Sequence, residues 1–165
     1  MKALALFSGG LDSMLAVRLV QKQDIHTEGI CFVNTFFDET PARKAARLLG
    51  IPLEAVDIDA ELLATVRSPR HGFGKGANPC IDCHALMLRK AGHLLAEKKA
   101  KFLVTGEVLG ERPKSQSRRA LAIVDKESGF GDYTLRPLSA LCLAPTLPER
   151  RGWVERRQLL DIRGR

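Results

Sequence analysis

Short apolar runs alternate with segments whose apolar residues return every three or four positions, and this alternation continues along most of the chain. Residues 2–7 form the first run, which Ser8-Gly9-Gly10 closes, and Leu11, Leu15 and Leu19 follow at helical spacing. That pattern predicts a strand, a glycine turn and a helix. Residues 27–33 read as a second buried strand, and residues 41–49 as a helix stopped by Gly50 and Pro52. Residues 53–58 supply a third strand, and residues 60–66 a helical turn or two. The polar, glycine-rich stretch 68–78 is expected to be a mobile loop of functional origin. Asn78 and Pro79 then suit a helix start, with Ile81, Ala85, Leu88, Gly92 and Leu95 along one face. A fourth strand is expected over residues 102–105, a helix over 115–126 and a fifth strand over 133–138. Strands and helices in this order predict an α/β fold: an open, mostly parallel five-stranded sheet with helices on both faces and right-handed crossovers. Its ligand crevice belongs at the carboxyl ends of the strands, among the strand-to-helix loops.

The 165 residues are enough for one hydrophobic core, and 45% hydrophobic with 27% charged residues is a globular balance that excludes disorder and low complexity. We assign residues 1–144 to the main body, with residues 145–165 as a loosely attached, basic C-terminal extension. No apolar run approaches the roughly 20 residues of a membrane helix, and residues 1–7 are too short for a secretory leader, so a cytoplasmic location is expected, with no membrane partner. Four cysteines in that compartment argue for chemistry or packing rather than a disulfide framework. The net charge of +7 favours a polyanionic partner, and the excess lies in the second half, where Lys98, Lys99, Lys101, Arg112, Lys114, Arg118 and Arg119 face two acidic residues. A solvated basic face would look the same. With one Trp and one Tyr there is no aromatic stripe for stacking single-stranded bases, so phosphate-backbone contact is the better form of a nucleic-acid reading.

Ser8-Gly9-Gly10-Leu11-Asp12-Ser13 lies where a phosphate loop must lie, after the first strand and at the start of the first helix. Glycines let backbone amides approach an anion, the helix N-terminus adds about half a positive charge, and Ser8 and Ser13 offer hydroxyl donors. Asp12 beside an anion makes sense with a divalent cation between them. A capped turn is the bland alternative, because serine, glycine and aspartate all favour helix starts. Ser-Gly-Gly-x-Asp-Ser resembles the PP-loop of the N-type ATP pyrophosphatases and lacks the Gly-Lys-Ser/Thr of a Walker loop. The resemblance implies an adenine nucleotide α-hydrolase-like, Rossmann-like fold. It also implies ATP and Mg2+ as cofactors, with attack of a substrate oxygen on the α-phosphorus and release of pyrophosphate. Ser8, Gly9, Gly10, Asp12 and Ser13 would hold the nucleotide, and Phe32 and Val33 would line the adenine pocket.

Cys80 and Cys83 stand one helical turn apart and open the fourth helix, so they can share a ligand or a sulfur atom. The helix dipole is expected to lower a thiol pKa toward neutrality there, helped by Arg70, His71 and Lys75. A redox pair, a zinc site with His84, and two inert thiols compete with this reading. A second resemblance follows from Asn78-Pro-Cys-Ile-Asp-Cys83, Thr105-Gly-Glu-Val-Leu-Gly110, Ser115-Gln116 and Leu135-Arg-Pro-Leu138, which are similar to the catalytic domains of tRNA 4-thiouridine synthases and tRNA 2-thiouridylases. It implies an ATP-dependent tRNA sulfurtransferase in which Cys83, with Cys80, carries the catalysis. Nucleotide contacts at Thr105, Gly106, Ser115 and Gln116 follow by the same route. Cys80 stands where 2-thiouridylases carry a carboxylate, as in relatives that bind an iron-sulfur cluster, and Cys142 would be the third ligand. Cys31, in a core strand, reads as packing. Two mechanisms stay open: a persulfide on one cysteine resolved by the other, or a cluster that delivers sulfide. The implied partners are tRNA and a persulfide or sulfide donor protein. His71, Lys75, Arg112 and Lys114 are equally phosphate contacts or surface charges, and His26 and His93 read as structural or exposed. The relatives carry RNA-binding or additional domains, so a longer natural chain or a partner is expected to supply such contacts. An enzyme adenylating a small molecule, and a nucleotide or redox sensor, are the alternatives.

Overall fold

The computed structural model describes residues 1–73, 79–112 and 114–164. Its strands are β1 (Lys2–Leu6), β2 (His26–Val33), β3 (Leu53–Asp57), β4 (Phe102–Val104) and β5 (Thr134–Leu135). The helices are α1 (Leu11–Gln21), α2 (Thr40–Leu49), α3 (Asp59–Arg67), α4 (Cys80–Glu97), α5 (Arg118–Ser128) and α6 (Leu147–Arg150). The five strands pair in the order β3-β2-β1-β4-β5, and every pair is parallel. Both faces are covered, which a parallel sheet requires. The two-residue period sends Ala3, Ala5, Phe102 and Val104 to the layer of α1 and α2, and Leu4, Ile30 and Leu103 to the layer of α4 and α5. Because β2 lies on one side of β1 and β4 on the other, the sheet has its topological switch point at β1 and β4, where an open α/β sheet binds its ligand.

Three expectations change in detail. α1 buries Ser13, Ala16, Val17 and Val20, while Leu11 is 70% and Leu15 42% exposed. The small-residue stripe wins the sheet because it permits the close approach described below. α5 starts at Arg118, since Ser117 caps it by accepting the Ala120 N–H at 3.1 Å, and Ser115 and Gln116 belong to the preceding loop, where Gly110 N–H donates to the Gln116 carbonyl. β5 ends at Leu135 because the chain turns there, with Ser139 N–H donating to the Arg136 carbonyl.

Residues 145–164 join the same body. Val154 and Leu159 are 2% and 3% exposed within the α1/α2 layer, and Trp153 stacks on Phe102 with ring centroids 6.4 Å apart. Within this stretch, residues 155–161 form only a 3-10 turn at Arg156–Gln158. Their backbone groups are claimed elsewhere: Leu160 N–H donates to the Pro137 carbonyl, Ile162 N–H to that of Leu138, and Leu160 accepts from Leu141. Among the described residues no helix is long and apolar enough to cross a membrane.

Candidate functional site

The glycine loop turns where β1 ends. Gly9 takes φ +80°, and a Cβ there would lie 2.6 Å from the Pro41 carbonyl oxygen, so both handedness and space demand glycine. Gly10 caps α1, which leaves the N–H groups of Leu11, Asp12 and Ser13 without intrahelical acceptors. Ser8 is exposed, and its hydroxyl accepts the Gly10 N–H at 3.3 Å. The Ser13 hydroxyl is committed to the Gly10 carbonyl at 2.8 Å, so it stiffens the loop instead of standing free as a donor. The Asp12 carboxylate, half-buried, makes no hydrogen bond or ion pair among the described residues. Its oxygens fit Mg2+, a hard cation that takes carboxylates and phosphates together.

The loop after β4 closes this turn from the other side of the switch point. A Cβ on Gly106 would stand 2.6 Å from Ser13 N and 2.7 Å from the Asp12 carbonyl carbon. Glycine here lets the end of β4 rest on the first turn of α1. The buried Thr105 hydroxyl donates to Glu107 Oε2 at 3.1 Å, so it braces the loop. Ser115 and Gln116 are 3% and 6% exposed, and Gln116 Oε1 is buried with no hydrogen-bond partner among the described residues. An orphaned buried amide oxygen costs about 1–3 kcal/mol, which a hydrogen-bond donor on a ligand would relieve.

Cys80 and Cys83 both lie in the first turn of α4, and Cys83 N–H donates to the Pro79 carbonyl at 2.9 Å. The expected depression of the thiol pKa fails at Cys83. Burial, with Cys80 and Asp82 adding to it, pushes that thiol up to about 11. Desolvation outweighs the helix dipole. The helpful cations are also engaged: His71 Nδ1 lies 2.9 Å from Asp82 Oδ1, and Arg70 pairs with Glu127 at 3.1 Å. Lys75 and Asn78 lie outside the described residues.

One turn further along the helix, His84 Nδ1 lies 3.0 Å from Glu107 Oε1. Glu107 Oε2 also accepts from Arg136 Nε at 2.8 Å, and Arg136 forks onto Asp125 at 2.7 and 3.1 Å. Burial alone would raise the Glu107 carboxyl; the charge of Arg136 and the bond from His84 override it and hold the pKa at about 2. Glu107 and Asp125 in turn raise the Arg136 guanidinium against its own burial. This chain of charges ties α4, the β4 loop, β5 and α5 together. The sequence reading gave Glu107 and Arg136 no role, although each is a charge set among apolar residues, the one signal that marks a buried pair.

The remaining candidates separate. Phe32 and Val33 face opposite layers: Phe32 packs against the Leu4, Ile30 and Leu88 cluster on the α4 side, while Val33 packs on the α1/α2 side and lines a cleft of about 420 Å³ with Asn34, Phe37 and Asp57. Side chains in period two cannot line one pocket together. A larger cleft, about 630 Å³, lies between α5 and α6 and includes none of the expected site residues. Cys31 is core packing. Cys142 does not join the pair: it packs with Leu109 and Leu121, donates to the Asp161 carbonyl at 3.1 Å and accepts from Arg163 Nε at 3.0 Å. Among the described residues no group of three His, Cys, Asp or Glu side chains can hold a metal ion, so neither a three-cysteine cluster nor a zinc site fits. Arg112, Lys114, His26 and His93 are exposed.

Known proteins resemble this chain in sequence and fold. A family model described as thiamine biosynthesis protein (ThiI) matches residues 1–142. The chain is 32% identical over 117 residues to the tRNA-specific 2-thiouridylase MnmA of Syntrophotalea carbinolica, covering 59% of this chain and 33% of that protein. It is 26% identical to the probable tRNA sulfurtransferase of Thermococcus kodakarensis, over 85% of this chain and 37% of that one. The chain thus spans about a third of the length of these relatives. A crystal structure of a 4-thiouridine synthetase–RNA complex with bound ATP superposes with a TM-score of 0.66 and 26% identity, over 82% of this chain and 36% of that one. A predicted subunit of tRNA methyltransferase from Methanocaldococcus jannaschii shares the fold, with a TM-score of 0.59 and 18% identity over 83% of this chain and 67% of that one. With the family model spanning all but the last residues, and the PP-loop and cysteine pair both inside the match, the chain belongs to the thiamine biosynthesis protein (ThiI) family.

Proposed function

We propose that the chain is the ATP-dependent catalytic unit of a tRNA sulfurtransferase. The observation that carries the reading is the meeting of the glycine loop and the β4 loop at the switch point, which Gly106 alone permits. The amides of Leu11, Asp12 and Ser13 would hold the pyrophosphate end of ATP, and Gln116 would satisfy its buried oxygen on the nucleotide. Asp12 would hold Mg2+, which when bound neutralises phosphate charge. A base carbonyl oxygen attacks the α-phosphorus, and the bond to the β-phosphate oxygen breaks, releasing pyrophosphate. A cysteine persulfide, loaded by a persulfide donor protein, then attacks the activated carbon, and AMP leaves with the carbonyl oxygen. The second cysteine attacks the carrier sulfur, leaving one sulfur on the base and a disulfide that an external thiol reopens. The relatives named for tRNA thiolation and the RNA complex support tRNA as the substrate, as does the net charge of +7.

The test is pyrophosphate release from ATP and Mg2+ with bulk tRNA, with a panel of small molecules, and with neither, comparing the anaerobically purified protein with Cys80→Ser and Cys83→Ser. The reading expects release that depends on tRNA in all three proteins, with thiolation lost in both variants. Release driven by a small molecule, or nucleotide binding without turnover, would overturn it.

A further inference from the structure

We propose that His84, held by buried Glu107, is the base that ionises Cys80, making Cys80 the first nucleophile of the pair and Cys83 the thiol that acts second. The inference rests on the sulfur-transfer reading for its purpose, and on geometry for its content. Cys80 and His84 are four residues apart on α4, so they neighbour each other on one face, with Cβ atoms roughly 5–6 Å apart in a regular helix. Helical side chains lean toward the N-terminus, so His84 shares the face of the turn that carries Cys80, although no hydrogen bond joins the two in this structure. Ionised Glu107 can only accept, so the Nδ1 of His84 carries the hydrogen in their 3.0 Å bond. In the neutral ring this leaves Nε2 with a free lone pair, and Nε2 has no partner among the described residues. Glu107 cannot swing away, because Thr105 and Arg136 both hold Oε2.

The surrounding charges do not compete. Asp82, beside the pair, is bonded by the His71 ring and backbone. On the outer side of α4, Lys90 pairs with Glu61 of α3, and Arg89 donates to the Glu127 carbonyl of α5. Asp125 of α5 is spent on Arg136, and Asp12 of α1 lies at the glycine loop. Cys83, with its pKa near 11, is about one part in ten thousand thiolate at pH 7, and no base adjoins it at the same helical spacing. The step itself is a proton transfer: the Cys80 S–H proton passes to His84 Nε2, giving a thiolate and an imidazolium that faces Glu107 through Nδ1–H. No electron is exchanged.

Iodoacetamide alkylation of the whole reduced chain between pH 6 and 10, quantified for each cysteine by peptide mass spectrometry, tests this. Cys80 is expected to react at least tenfold faster than Cys83 at pH 7. His84→Gln, which can still donate to Glu107, should abolish that preference and move the Cys80 profile to higher pH. Glu107→Gln should move it in the same direction by a smaller amount. Cys31, 5% exposed, reports the fold in each variant by staying unlabelled. Equal rates for the two cysteines at pH 7, or a Cys80 profile that His84→Gln leaves in place, overturns the assignment. Either result does so whether or not tRNA drives pyrophosphate release, the separate measurement on which the sulfur-transfer reading stands.

Discussion

Glu107 is the residue on which most of the site geometry converges, and removing it has two separable effects. Glu107→Ala leaves Arg136, 4% exposed, with a single partner, and breaking a buried pair in this way costs about 3–5 kcal/mol. Urea denaturation at pH 7 should show the loss as a lower midpoint at unchanged slope. Acid should act on the same group. A carboxyl whose folded pKa is depressed stabilises the fold above its unfolded value, near 4.5, and the contribution fades as pH falls toward 2. Wild-type stability should therefore drop steeply across that window, and Glu107→Gln should flatten the drop. Gly106→Ala reads differently, because the added methyl would meet Ser13 N at 2.6 Å and push the β4 loop off α1. Its expected signature is at least a tenfold loss of ATP affinity in a binding titration, with a smaller change in urea midpoint.

The helices explain which parts of the architecture were legible beforehand. Each apolar run ends at a glycine, a proline or a capping residue, so the order of strands and helices could be read directly from the chain. The face of α4 was equally plain, with Ala85, Leu88, Gly92 and Leu95 all buried as expected. α1 misled because its leucines and its small residues both recur at helical spacing, and only contact with the β4 loop selects the small ones. The start of α5 misled because Ser115 and Ser117 are both plausible caps. The Glu107–Arg136 pair was hidden for another reason: its partners lie 29 residues apart, and no periodicity links them. Packing between α4 and α5 gives a test at this scale. A Cβ on Gly92 would stand 2.2 Å from the Phe130 ring, so Gly92→Ala should cost about 1–3 kcal/mol. In a double-mutant cycle with Phe130→Ala, the pair should cost clearly less than the sum of the single changes.

Residues 145–164 pack into the body of the molecule, so the chain should unfold as one cooperative unit. Val154 and Leu159 fill the α1/α2 layer, Glu155 N–H donates to Gln23 Oε1 at 2.7 Å, and Gly164 N–H donates to the Leu109 carbonyl at 2.8 Å. Truncation after residue 144 should therefore abolish a single sharp urea transition instead of merely trimming a tail, a result that circular dichroism would register. The unsatisfied amide of Gln116 also bears on the energetics of the entire chain. A group buried without its partner is stability withheld until a ligand arrives, so under the proposed function the nucleotide is also a folding ligand. Saturation at a hundred times the dissociation constant would add about 2.7 kcal/mol by mass action, on the order of 5–10 °C in melting temperature for a chain of this size. In a cell the folded population of this protein would then track the adenylate charge, and starvation for ATP would thin the enzyme itself before it slowed the chemistry.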